Sequence, residues 1–176
     1  MADTSGFARA FAVVIGEEGD YSNDRADPGG ETKYGISKRA YPNVDIANLT
    51  LEGARALYAR DYWTPAACDR MGPALALLVF DAAVNNGIHK AVPWLQTAVG
   101  ASPDGQVGDV TIRAIATYVA RHGMAALLTE YLAVRLHFMA GLPTWPTFGL
   151  GWSRRLCGLA FQAAALQPLI VSGTIP

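Results

Sequence analysis

The chain has 176 residues, of which 51% are hydrophobic and only 16% charged, with a formal net charge of −1. Such a composition supplies a sizeable core in one domain, or one domain with a small appended lobe, and excludes a disordered chain. With 14 basic against 15 acidic side chains there is no basic excess, so a nucleic-acid partner is not expected.

The N-terminal segment lacks the pattern of a signal peptide: Asp3 stands where positive charge is expected and Arg9 interrupts the apolar run. Asp3, Thr4 and Ser5 offer N-caps for a first helix that runs through Gly16 to Glu18, with Gly19 as its stop. At about 100° per residue, Phe7, Phe11 and Val14 project within about 40° of Glu18. A carboxyl at the end of such a stripe is desolvated, which raises its pKa and suits a general acid. Glu17, one residue earlier, would face solvent. The competing reading places Glu18 at a frayed, exposed helix end.

Residues 18–36 read EGDYSNDRADPGGETKYGI, a polar loop too long for a simple connection. Asp27 is the candidate second carboxylate, since a polar loop keeps such a group ionised, and Thr32 is a hydroxyl that can orient water. A short hairpin is expected around Thr32 to Ile36. Asp20, Ser22, Asp24 and Glu31 approximate a calcium-loop spacing, but Arg25 occupies the position that needs glycine. The scattered histidines form no cluster with Cys68 or Cys157, so no zinc or other metal site is expected. The two cysteines read as buried thiols, although their spacing leaves a disulfide open.

Further on, Ser37 caps a brief helix ended by Pro42, and Thr50 caps another containing Leu51, Ala54, Leu57 and Tyr58. Pro73 opens a helix from Ala74 to Asn86 that Gly87 closes; apolar almost all round, it reads as the buried centre. Helices follow around Trp94 to Val99, from Val110 to Arg121 and from Met124 to Ala140. A loop is expected from Gly141 to Gly151 and a last helix from near Trp152 or Ser153. The whole is mainly α with a small β element after the first helix. No segment reaches the roughly 18 to 20 apolar residues of a membrane span. Leu156 to Val171 reads as a packed terminal helix, so no stable membrane anchor is expected. Asp81 and Asn85, four apart on the apolar helix, either line a cleft or join an internal network. Trp63, Trp152, Tyr21 and Tyr34 are aromatic candidates for stacking on a ligand ring, the alternative for each being a place in the core.

The run EGDYSNDRADPGGETKYGIS closely resembles the signature of glycoside hydrolase family 108. The resemblance continues in DYW (61–63), FDAAVNNG (80–87), LQ (95–96), DGQVGDVT (104–111) and GWSRR (151–155). It implies a lysozyme-like helical fold and an N-acetylmuramidase acting on peptidoglycan, with Glu18 as the catalytic glutamate. Phage endolysins and secretion-associated muramidases belong to this family. The sequence departs from the pattern at Asp20, Arg25 and Asp109, which stand where glycine, proline and proline are usual. The order Glu18, Asp27, Thr32 also approximates the constellation of phage-type lysozymes, one residue tighter at the threonine. Residues 1–90 then form the catalytic region, and 91–176 a helical, peptidoglycan-binding-like region packed on it. The predicted site comprises Glu18, Asp27 and Thr32 as catalytic groups and Tyr34, Asp81, Asn85 and Trp152 as substrate contacts. A monomer is expected, made in the cytoplasm and reaching the wall through a holin-like lesion or dedicated export. A lytic transglycosylase and a non-enzymatic wall-binding scaffold are the alternatives.

Overall fold

The stretch from Ala74 to Ala83 is buried at every position, and the other elements are arranged around it. The structure, a computed structural model, describes residues 6–16, 21–23 and 29–167. Among these the helices are α1 (Gly6–Val14), α2 (Leu51–Tyr58), α3 (Pro73–Asn86), α4 (Ile88–Ala98), α5 (Asp109–His122), α6 (Met124–Ala140) and α7 (Trp145–Ala165). Two short strands, β1 (Thr32–Lys33) and β2 (Ile36–Ser37), pair antiparallel between α1 and α2.

Helix α3 can be central because its sequence has no polar face: burial on all sides removes the amphipathic constraint of a surface helix. It packs against α1, α4, α6 and α7, and a single hydrophobic cluster runs from Phe11 through Phe80 to Leu159. Described residues from both sides of position 90 contribute to this cluster. The mainly α fold with a small β element is the one expected from the sequence.

Several boundaries differ from expectation for identifiable reasons. Helix α1 ends at Val14, and Gly16 has φ +80°, a left-handed conformation that stops the helix before Glu18. The apolar stripe is as predicted, with Phe11 buried and Phe7 and Val14 packed on the core; the orientation expected of Glu18 lies outside the described residues. Helix α7 begins at Trp145 rather than near Trp152. Pro146 sits in its first turn, where proline is tolerated. Gly149 is required there, because a Cβ would lie 2.7 Å from the Trp145 ring. Helix α4 starts at Ile88, directly after Gly87 (φ +85°), with Pro93 inside it. Ser37 caps no helix; its Oγ accepts from the Ala40 N–H in a single turn.

Thr50 does cap α2, its Oγ1 accepting from the Gly53 N–H at 3.1 Å. The chain then continues as a π-helical turn over Ala59–Trp63, where the Thr64 N–H reaches the Ala59 carbonyl. Cys68 is buried, Cys157 is exposed and both are free, so neither a disulfide nor two buried thiols describes the pair. Among the described residues no helix is long and apolar enough to cross a membrane.

Candidate active site

The predicted hairpin is present, and its turn explains its sequence. Lys33 pairs with Ile36, leaving Tyr34 (φ +52°) and Gly35 (φ +73°) as a two-residue connection. Positive φ at both positions is the type I′ geometry whose twist matches an antiparallel pair. Tyrosine rarely adopts this conformation, and a tertiary contact holds it here: the Tyr58 hydroxyl donates to the Tyr34 carbonyl at 3.1 Å. Burial pushes the Tyr58 hydroxyl up to about 12, with a smaller contribution from Tyr62, so it remains a donor at neutral pH.

On its other edge β1 pairs with Ser22 through the Ser22 N–H to Thr32 carbonyl bond (2.9 Å) and the Thr32 N–H to Ser22 carbonyl bond (2.8 Å). The Tyr21 hydroxyl adds a bond to Glu31 Oε1 at 2.9 Å, and this bond to a carboxylate raises the Tyr21 pKa. Both described ends of the signature loop are therefore fixed to one small sheet. Glu18 and Asp27, and with them Glu17, lie outside the described residues. Thr32 is half-buried in β1, and its hydroxyl donates to the Gly30 carbonyl at 3.1 Å.

Through Tyr58 this sheet is joined to an aromatic floor. Phe7, Trp63 and Phe80 meet edge to face, with centroids 5.3 to 5.8 Å apart. Phe11 meets Tyr58 in the same way at 5.6 Å. Such mutual edge contacts favour tight, well-defined packing. Trp63 belongs to this floor, and its indole N–H donates to Asp69 Oδ1 at 2.7 Å. The Tyr41 hydroxyl donates to Asp61 Oδ2 at 2.9 Å, tying the segment after β2 to the π-turn. Hydrogen bonds from Arg60, followed by this one, hold the Asp61 carboxyl below its ordinary value.

Asp81 departs from the role of substrate contact. Its side chain is 0% exposed, and Oδ1 accepts from Arg135 Nη1 at 2.6 Å. Oδ2 accepts from Arg155 Nε at 2.9 Å and from Arg155 Nη2. A carboxylate so enclosed holds α3, α6 and α7 together and has no face open to a sugar, which decides for the internal network. Asn85 is exposed; its amide donates to the Asp81 backbone carbonyl at 2.8 Å and to Oδ2 at 3.3 Å. Trp152 is half-buried on α7, stacked with Phe148 at 5.8 Å and tilted against Trp145 at 6.1 Å. The structure thus gathers Asp81 and Asn85 beside the α7 segment that bears Trp152, and places Thr32 and Tyr34 on the small sheet.

Arg135 and Arg155 were not singled out from the sequence. The signal was present in the GWSRR run and in a lone arginine within the apolar helix α6, but pairing a carboxylate with residues 54 and 74 positions away requires the fold. The loop 104–111 is largely exposed but is held from beneath by a buried side chain. Gln96, buried, donates to Asp104 Oδ1 (2.6 Å), the Gln106 carbonyl (3.0 Å) and Thr111 Oγ1 (3.2 Å), and accepts from the Gly105 N–H (2.9 Å). Among the described residues no group of three or more His, Cys, Asp or Glu is placed to hold a metal ion.

The family model described as Glycosyl hydrolase 108 matches residues 11–87, which span the α1 stripe, the small sheet, the aromatic floor and α3. The fold is similar to that of a solved structure titled "Structure of Brucella abortus SagA", with a TM-score of 0.76 and 31% identity over 91% of this chain and 94% of that one. No curated protein sequence matches the chain. With the family motif carried on this mainly α, lysozyme-like framework, the chain belongs to the glycosyl hydrolase 108 family and is a glycoside hydrolase of the peptidoglycan-degrading kind.

Proposed function

We propose that the chain is an N-acetylmuramidase that hydrolyses the β-1,4 bond between N-acetylmuramic acid and N-acetylglucosamine, in the setting of a phage endolysin. The observation that carries this reading is the signature loop EGDYSNDRADPGGETKYGIS, which lies within the matched family segment. In the proposed mechanism Glu18 protonates the glycosidic oxygen. Asp27, with Thr32, stabilises the oxocarbenium-like state or activates the attacking water. Tyr34 and Trp152 contact sugar rings, and Asn85 supplies a polar contact at the end of α3. The fixed ends of the loop support the assignment, because a catalytic carboxylate must be held to a fraction of an ångström. No cofactor is invoked. Residues 91–176 contribute wall contacts through the exposed face of α7, and the chain acts as a monomer on the wall after release or export from the cytoplasm.

The decisive experiment is product analysis on purified peptidoglycan. Reducing muramic acid ends are expected, and Glu18→Gln should abolish their release while leaving the melting temperature unchanged. Full activity in Glu18→Gln would overturn the assignment of the acid. Anhydro-muramic ends would identify a transglycosylase instead. Asp27→Ala and Thr32→Ala should each slow turnover severely, and normal rates would move the second role to Asp24 or Glu31.

A further inference from the structure

The buried cluster at Asp81 is not electrically balanced. One carboxylate serves two guanidinium groups, Arg135 and Arg155, and among the described residues no other carboxylate pairs with either. Arg135 is 1% exposed and its Nε is buried without an acceptor. A surplus positive charge in a poorly solvated place is costly unless an anion approaches it.

The outlet of that charge is Arg155, whose side chain remains 39% exposed. Its Nε and Nη2 are fixed on Asp81, which among the described residues leaves Nη1 uncommitted on a guanidinium already held in place. Immobilising the fork beforehand lowers the entropy lost when a carboxylate binds.

Arg155 also has neighbours suited to a sugar. At about 100° per residue, Phe148, Trp152 and Arg155 fall within about 60° of one another on α7. Phe148 is 53% exposed, and its ring stacks on Trp152 with an interplanar angle of 29°. Exposed π faces attract the electropositive C–H faces of sugar rings. Asn85, exposed and bonded to the same Asp81 oxygen as Arg155, continues the strip towards the end of α3.

We propose that Arg155 and the adjoining Phe148–Trp152 face form a carboxylate-recognising subsite for the glycan strand. The aromatic pair receives a sugar ring, and the guanidinium receives a carboxylate borne by the muramyl unit. This rests on peptidoglycan being the substrate and adds that its negative charge is read at this point. The carboxylate has two sources, the stem peptide in intact strands and the lactyl group in strands stripped of peptide.

The test is binding of the full chain to insoluble peptidoglycan, measured by sedimentation, which needs no turnover. Three substrates are compared: intact, stripped by an amidase, and intact with its carboxyls chemically amidated. The wild type should bind the amidated material about ten-fold more weakly, the size expected for one charge-assisted hydrogen bond. Arg155→Gln should show the same loss on intact strands and no further loss on amidated ones, and Arg155→Lys should recover part of it. Phe148→Ala, at an exposed position, should weaken binding to all three substrates equally. Binding retained on stripped strands assigns the lactyl carboxylate, and binding lost there assigns the stem peptide. Equal wild-type binding to intact and amidated strands overturns the proposal, and so does a loss in Arg155→Gln that is the same on both. The amidation arm uses only the wild type, so it decides even if Arg155→Gln fails to fold. A chain that shows this pattern but releases no reducing ends keeps the subsite and sinks the hydrolase reading.

Discussion

The hydroxyl of Tyr58 lies 3.1 Å from the carbonyl of Tyr34, and through this bond a buried residue of α2 supports the left-handed turn of the signature hairpin. The adjacent Gly35 has no room for a side chain, since a Cβ there would sit 2.7 Å from the same hydroxyl.

Tyr58→Phe should lower stability by about 1 kcal/mol, the usual net worth of one hydrogen bond. Gly35→Ala should lower it by roughly 1 to 3 kcal/mol, combining left-handed strain with the clash. The two effects are coupled: without the Tyr58 hydroxyl, Gly35→Ala loses its clash and retains only the backbone strain. A double-mutant cycle in urea should therefore show a smaller loss for Gly35→Ala in the Tyr58→Phe background. Strict additivity would mean that the hydroxyl is not what excludes the side chain.

Asp81→Asn keeps the shape of the side chain but removes the countercharge of two guanidinium groups, one of them 1% exposed. The expected destabilisation is roughly 3 to 5 kcal/mol, a fall in melting temperature on the order of 10 °C for a chain of this size. Calorimetry of the purified variant checks this. A change near zero would show that the network is not essential to holding α3, α6 and α7 together.

Asp104 and Asp109 both have folded pKa values below their ordinary ones. The first is lowered by the Gln106 N–H and then by Gln96, the second by Arg70 through a 2.5 Å ion pair. A depressed carboxylate stabilises the folded state above its unfolded pKa, and that contribution disappears as pH falls through the folded value. Stability should be flat with respect to these groups from neutral pH down to about pH 5, then fall below about pH 4. Asp104→Asn keeps an acceptor for Gln96 but cannot titrate, so its acid-melting curve should be shallower than that of the wild type. Superimposable curves would refute the assignment.

The cysteines should differ in reactivity. Cys157 is exposed, whereas Cys68 is buried and its thiol is pushed up to about 12, mainly by desolvation. A thiol reagent at neutral pH should modify Cys157 in the native protein and Cys68 only after unfolding, because the thiolate is the reactive form. Mass spectrometry of the labelled sites before and after denaturation checks this, and rapid native labelling of Cys68 would contradict its burial.

Much of the fold was legible because it rests on local physics. The apolar run of α3, the Thr50 cap and the Gly87 stop are each written in neighbouring residues, whereas the left-handed turn at Tyr34 also needs the Tyr58 hydroxyl. Periodicity failed where local signals conflict, as at α7: two glycines and two prolines between Leu142 and Gly151 read as a loop, yet packing of Trp145 on Gly149 makes most of it helix.

The family, and with it Glu18 and Asp27 as candidates, came from the sequence by itself, because a long linear motif carries that information without coordinates. Tertiary structure decided where the helical register of α1 stops and what Asp81 is for. Its alternatives, cleft or network, are identical along one helix. They are separated only by arginines on α6 and α7, brought in from 54 and 74 residues away. Charge balance is a property of space rather than of sequence neighbours, so the surplus at Arg155 was visible only once the chain was folded.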